Sequence, residues 1–256
     1  SGEECEFARG YYDRIHEALA DAFARDALTR ECIEEIASKH RVCPFEFSLD
    51  ISLWMDCIVC DYNYVYDPRA YLRRFFLEMS GEYLFLVDEA HNLVDRAREM
   101  FSAELTKQPF LELRKKVKNV TPEIYLSLGR INSWMAAARK RCMEKNPFAE
   151  ESPPVTLNPH LKKFLTAAER WLTLNRKTAF RGELLDLYFA VHGFMRVAAH
   201  YDDSYAACYG MKGNDLAVKL FCIDPARQMR EAQERGIAAV FFSATLAPAG
   251  YFKRMF

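Results

Sequence analysis

Two short apolar runs, each ending in residues with side-chain chemistry, constrain this chain most. Tyr83-Leu-Phe-Leu-Val87 leads into Asp88-Glu89-Ala90-His91, and Ile237 to Phe242 leads into Ser243-Ala244-Thr245. Short apolar runs bounded by polar residues predict buried strands of the parallel-sheet kind. Cys57-Ile58-Val59-Cys60 predicts a third such strand, and the stretch Tyr71 to Met79 reads as a helix before the second. Strand, helix, strand at both ends of the chain, with helical periodicity between, predicts one parallel α/β sheet interrupted by a large all-helical insertion. By residue count such a chain is predominantly α.

The helical pattern is explicit. Ile15, Ala18, Leu19 and Ala22 form one stripe on a helix from Tyr11 to about Phe23. Thr29 is placed to cap a second helix whose inward residues are Cys32, Ile33, Ile36 and Ala37. Pro44 suits the first position of a third helix that ends near Trp54. Beyond residue 100 come long amphipathic helices at Tyr125 to Glu144, around Leu161 to Leu172, and at Leu184 to His200. The segment 151–159 reads as a loop. Ser204–Tyr209 and Leu216–Ile223 flank a glycine-containing turn and predict a hairpin. Asp224 as cap, Pro225 at the helix start and Gly236 as stop bracket a final helix before the last strand.

Half the residues are apolar, and 35 Lys+Arg stand against 36 Asp+Glu. That excludes a disordered or fibrous chain and leaves nucleic-acid binding open, since a basic face can hide in a balanced total. No apolar run is long enough for a membrane-spanning helix and no secretory leader opens the chain, so a cytoplasmic protein with no membrane partner is expected. Eight irregularly spaced cysteines read as reduced thiols or metal ligands. The Ser-Gly start, without Met, suggests a piece of something longer.

The acids at 88 and 89 admit two explanations. One is a strand entering a helix whose first turn is acidic, which the helix dipole favours. The other is phosphoryl-transfer chemistry, which needs a carboxylate to hold Mg²⁺ and a second group to orient the attacking water. The C-terminal end of a parallel strand is where open α/β sheets bind ligands.

The whole string favours the second. VDEAH after a strand resembles motif II of DEAH-type superfamily 2 helicases, and SATL at 243–246 resembles motif III. CPFEFSLDISLWMDCIVCDYNYVYDP, residues 43–68, and FCIDPARQM before the last strand are similar to segments of the XPD/DinG-type helicases. The resemblance covers nearly the whole chain and is specific in 43–95 and 219–250.

It implies an internal piece of an ATP-dependent 5′→3′ DNA helicase of the DNA-repair type, acting on single-stranded or forked DNA. Residues 1–55 would end an iron–sulfur domain. Residues 56–100 and 224–256 would be parts of the first RecA-like motor domain, and 101–223 a helical arch. Asp88 would coordinate Mg²⁺ and Glu89 would activate water. His91, Ser243 and Thr245 would link the ATP site to DNA. Cys43 and Cys5 match the last and third ligands of a [4Fe–4S] cluster, an incomplete set in this chain, so a cluster is expected only in the longer parent. No GxGKT phosphate loop occurs, so negligible ATPase is expected from these residues alone.

Cys57 and Cys60 form a CxxC pair, but on a strand residues three apart face opposite sides, so they read as core thiols. For nucleic acid, Tyr62, Asn63 and Tyr64, followed by Arg73 and Arg74, combine aromatic rings with cations as single-strand binding requires. The basic runs 113–120 and 139–145 are either further contacts or solvated helix faces. A non-catalytic DNA-binding or interaction module is the main alternative function. A metal-dependent hydrolase built on Asp88, Glu89 and His91 is the other.

Overall fold

The computed structural model describes residues 5–70, 72, 75–76, 82–145, 147–175 and 177–256. They fall into two units, one of residues 1–85 with 233–239 and the other of 86–232 with 240–256.

The first unit opens with three helices. α1 (Tyr11–Phe23) turns Tyr11, Ile15, Ala18 and Ala22 inward, as its periodicity requires. In α2 (Arg30–His40), Thr29 caps the start by accepting from the Cys32 N–H at 3.4 Å. Arg41, in the left-handed region at φ 54°, ends α2 and lets the chain turn into α3 (Pro44–Ser52), with its proline in the first turn. Their shared core joins these residues to Ile33, Ile36, Val42, Phe47 and Ile51. A one-turn helix, α4 (Asn63–Tyr66), follows.

The run 57–61 is a correction to the sequence reading. It forms no strand, Val59 is 95% exposed, and Cys57 and Cys60 are exposed thiols rather than core ones. Apolar residues become a strand only where a neighbouring edge accepts their backbone hydrogen bonds, and the local sequence does not say whether one is present. The predicted helix 71–79 lies outside the described residues apart from Leu72, Phe75 and Phe76.

β1 (Leu84–Val87) and β6 (Ala238–Phe241) pair as the two-stranded sheet expected from their sequences. The Ile237 N–H donates to Tyr83 O at one end and the Phe242 N–H to Val87 O at the other, so both strands ascend together. Full burial was expected and is not found: Leu84 and Leu86 are 64% and 71% exposed, and Val240 is half-exposed. An all-apolar run signals two faces able to be covered, not that both are.

The second unit is helical in bulk. After β1 come α5 (Leu93–Phe101), β2 (Ala103–Thr106), α6 (Lys107–Val117) and α7 (Pro122–Glu144). Then follow β3 (Phe148–Glu150), α8 (Asn158–Leu174) and α9 (Arg181–Ala199). The hairpin β4 (Tyr205–Lys212) and β5 (Asp215–Cys222) turns at Gly213, whose φ of 59° suits glycine. α10 (Ala226–Gln233) starts where Asp224 accepts from the Ala226 N–H, and α11 (Ala249–Met255) follows β6.

The insertion is therefore not all helix. The expected hairpin is extended on both edges by β2 and β3 into a four-stranded antiparallel sheet ordered β2-β5-β4-β3. Strands of three and four residues give too little periodicity to be seen in sequence. A continuous core lies under this sheet, with Phe110, Leu128, Ile131, Met135, Phe164, Val191, Phe194, Val218 and Leu220 all at most 0% exposed. Among the described residues no helix is long and apolar enough to cross a membrane.

Candidate nucleotide-hydrolysis site

β1 delivers Asp88 and Glu89 directly past its last residue, and the end of β6 delivers Ser243 beside them. The backbone couples the two ends twice: Phe242 donates its N–H to Val87 O (3.0 Å) and accepts from the Ala90 N–H (3.1 Å). Ala90 is wholly buried, and a larger side chain would have to displace its surroundings.

Glu89 sits at φ 48°, ψ 39°, the left-handed region that costs a β-carbon residue about 1–2 kcal/mol. Such strain persists only where the surroundings over-determine it. Here Glu89 donates its own N–H to Asp88 Oδ1 at 2.7 Å. Its carboxylate receives the Ser243 hydroxyl at 3.3 Å and lies 3.1 Å from His91 Nδ1. His91 Nδ1 is also 2.8 Å from Ser243 Oγ.

These distances set the protons. A carboxylate oxygen only accepts, so the Nδ1 beside it must carry hydrogen. Ser243 Oγ then accepts from His91 Nδ1 and from the Thr245 N–H at 3.3 Å, and donates its proton to Glu89. Asp88 and Glu89 are both exposed, so the two charges face solvent and repel only weakly.

Of the residues singled out in the sequence, Asp88, Glu89, His91, Ser243 and Thr245 thus come together. Thr245 does so through its backbone. Phe242 and Ala90 join through main-chain atoms, for which no side-chain signal exists. Arg98 was also missed. From α5 it reaches Asp95 (2.7 Å), Ile223 O (2.9 Å) and the Tyr251 hydroxyl (3.2 Å), tying the helix after the motif to the end of β5 and to α11.

Asp88 offers hard oxygen donors in solvent, the donor type Mg²⁺ takes when it keeps waters and phosphates for its other positions. The cysteines behave differently. Cys5 is exposed, while Cys43 precedes α3 and packs against the three-helix core. Among the described residues no three His, Cys, Asp or Glu side chains converge to hold a metal ion.

In the first unit, Tyr62, Asn63 and Tyr64 are half-buried on and beside α4, where the Asn63 N–H donates to Asp61 Oδ1 at 2.8 Å. Arg73 and Arg74 lie outside the described residues. The basic runs divide. Arg114 and Arg141 are engaged, the first with Tyr125 and the second with Glu150 and the ring of Phe148, while Lys115, Lys118, Lys140 and Lys145 are exposed.

Residues 1–110 match the DEAD_2 family model. Over 97 residues the chain is 32% identical to regulator of telomere elongation helicase 1 of Homo sapiens, covering 38% of this chain and 8% of that protein. Over 119 residues it is 29% identical to the Fanconi anemia group J protein homolog of Gallus gallus, covering 45% of this chain and 9% of that protein. The solved structure of S. tokodaii Xpd4 aligns over 94% of this chain and 58% of that one, with 13% identity and a TM-score of 0.43. The chain thus spans under a tenth of the length of these two curated relatives.

Proposed function

We propose that this chain, whose residues 1–110 match the DEAD_2 family model, is one region of an ATP-dependent 5′→3′ DNA helicase of the XPD/DinG-type superfamily 2 group. The observation that carries the reading is the joining of Glu89 to His91 and Ser243, because it connects the ends of two parallel strands through side chains able to switch partners. Asp88 would hold Mg²⁺ and Glu89 would orient the attacking water and take up its proton. When bound, Mg²⁺ would neutralise charge on the β- and γ-phosphates.

The chain's own residues suggest how hydrolysis reaches DNA. Once Glu89 turns to a water, it releases the Ser243 hydroxyl. Ser243 then rebalances between His91 and the Thr245 N–H, and β6 feels the change through the two bonds at Phe242. Residues 1–256 hold no GxGKT loop, so on this reading other residues of the helicase cradle the phosphates. Residues 101–223 would serve as the arch, and single-stranded or forked DNA would be the partner, with Tyr62, Asn63 and Tyr64 among its contacts.

The test is ATP hydrolysis and strand separation by the full-length gene product with Glu89→Gln. Loss of turnover by at least about 100-fold, with nucleotide binding retained, is expected for removal of a catalytic base. Turnover within a few-fold of wild type would sink the assignment.

A further inference from the structure

A cavity of about 500 Å³ opens between α6, α7 and the start of α8. Arg114, Tyr125, Arg130, Ser133, Trp134 and His160 are among its lining, and none of the lining residues is a carboxylate. Its ligand should therefore be anionic.

The cationic side of this lining is held in place by its own contacts. Arg114 lies across the Tyr125 ring at 4.3 Å and donates to its hydroxyl at 3.0 Å, which holds the guanidinium flat. Gly129 permits this, since a β-carbon there would stand 3.3 Å from Arg114 Nε.

The indole of Trp134 is fixed by its N–H donating to Thr156 Oγ1 at 2.9 Å, leaving an oriented aromatic wall. A planar ring and a phosphate together would use both the aromatic and the cationic lining, whereas an acidic peptide uses only the second. We propose that this cavity binds a nucleoside phosphate, free or as one unit of a single strand. The base packs on Trp134 and Tyr125, and the phosphate lies among Arg114, Arg130 and His160.

The experiment titrates the 256-residue chain with a fluorescein-labelled dT12 oligonucleotide, with AMP and with a hexaglutamate peptide, following anisotropy and tryptophan emission. Arg130→Glu alters an exposed side chain, so circular dichroism should be unchanged while dT12 binding weakens roughly tenfold or more. Lys140→Glu makes the same charge change on the same helix, about 15 Å further along, and should cost far less. Emission quenching that disappears in Trp134→Phe places the ligand at this wall. Quenching by AMP as well as dT12 assigns the site to nucleotides at large, and quenching by dT12 alone assigns it to a strand. Equal effects of Arg130→Glu and Lys140→Glu, or hexaglutamate binding as tight as dT12, would overturn the proposal. Asp88 and Glu89 are untouched in these variants, so the hydrolysis reading stands or falls separately.

Discussion

Gly236 stands at the entrance to β6, and replacing it with alanine tests how β1 and β6 are held together. A β-carbon there would meet Tyr83 O and Phe85 Cε2, each at 2.7 Å, which is 0.7 Å short of the 3.4 Å where ordinary contact begins. The phenylalanine ring can swing aside, but the carbonyl is backbone and already accepts from the Ile237 N–H at 2.9 Å. Relieving the clash must lengthen that bond. Overpacking costs about 1–3 kcal/mol and a weakened hydrogen bond about 1 kcal/mol. Against this, alanine recovers about 0.4–1 kcal/mol of unfolded-chain entropy. The net expectation is destabilisation by about 1–3 kcal/mol. Urea unfolding gives the stability, and hydrogen exchange at the Ile237 amide gives the local cause, which should appear as faster exchange there. Gly193→Ala is the control. Its β-carbon would meet nothing within 4 Å inside α9, so it should stabilise by about 0.5–1 kcal/mol. Unchanged stability and unchanged Ile237 exchange in Gly236→Ala would refute the reasoning.

Phe110 is fully buried with its ring 6.4 Å from that of Phe164, so Phe110→Ala should cost about 3–5 kcal/mol in urea unfolding. The His91–Ser243 bond should show in a double-mutant cycle to alanine, with a coupling of about 0.5–1.5 kcal/mol; purely additive losses would mean the two side chains are not joined. Hydrogen bonds from His40 and Lys39 push the Asp21 carboxyl down from 3.8 to about 2. A carboxyl depressed by folding adds stability that is complete above its unfolded value and is lost as pH falls from about 4 towards about 2. Urea midpoints for wild type and Asp21→Asn should accordingly differ at pH 5 and converge as pH falls through about 2.

The helices were readable because their signals are local. The stripe Ile15, Ala18, Ala22, the Thr29 cap and the Asp224–Pro225 start each act within one or two turns, and each stands where its sequence puts it. The hairpin was readable for the same reason, with Gly213 supplying a turn that other residues resist. β1 and β6 were recognisable as strands, yet not how far they are covered, because burial depends on what lies across each face. Residues 57–61 show the opposite failure, an apolar run that forms no strand among the described residues. β2 and β3 were invisible for want of length, and exist because β5 and β4 offer them edges.

For the site, the acids after a strand nominated Asp88 and Glu89, and the resemblance to helicase motifs added His91, Ser243 and Thr245. Only the fold could decide that Ser243 lies 2.8 Å from His91 across 152 positions of sequence, and that Glu89 is held in a left-handed turn facing them. The cavity beneath Trp134 belongs wholly to the second kind. Arg114, Arg130 and His160 share no spacing that a sequence could announce, and they meet because α6, α7 and α8 pack on one core. Local propensity writes the elements, but pairing and packing between distant segments choose which side chains face one another.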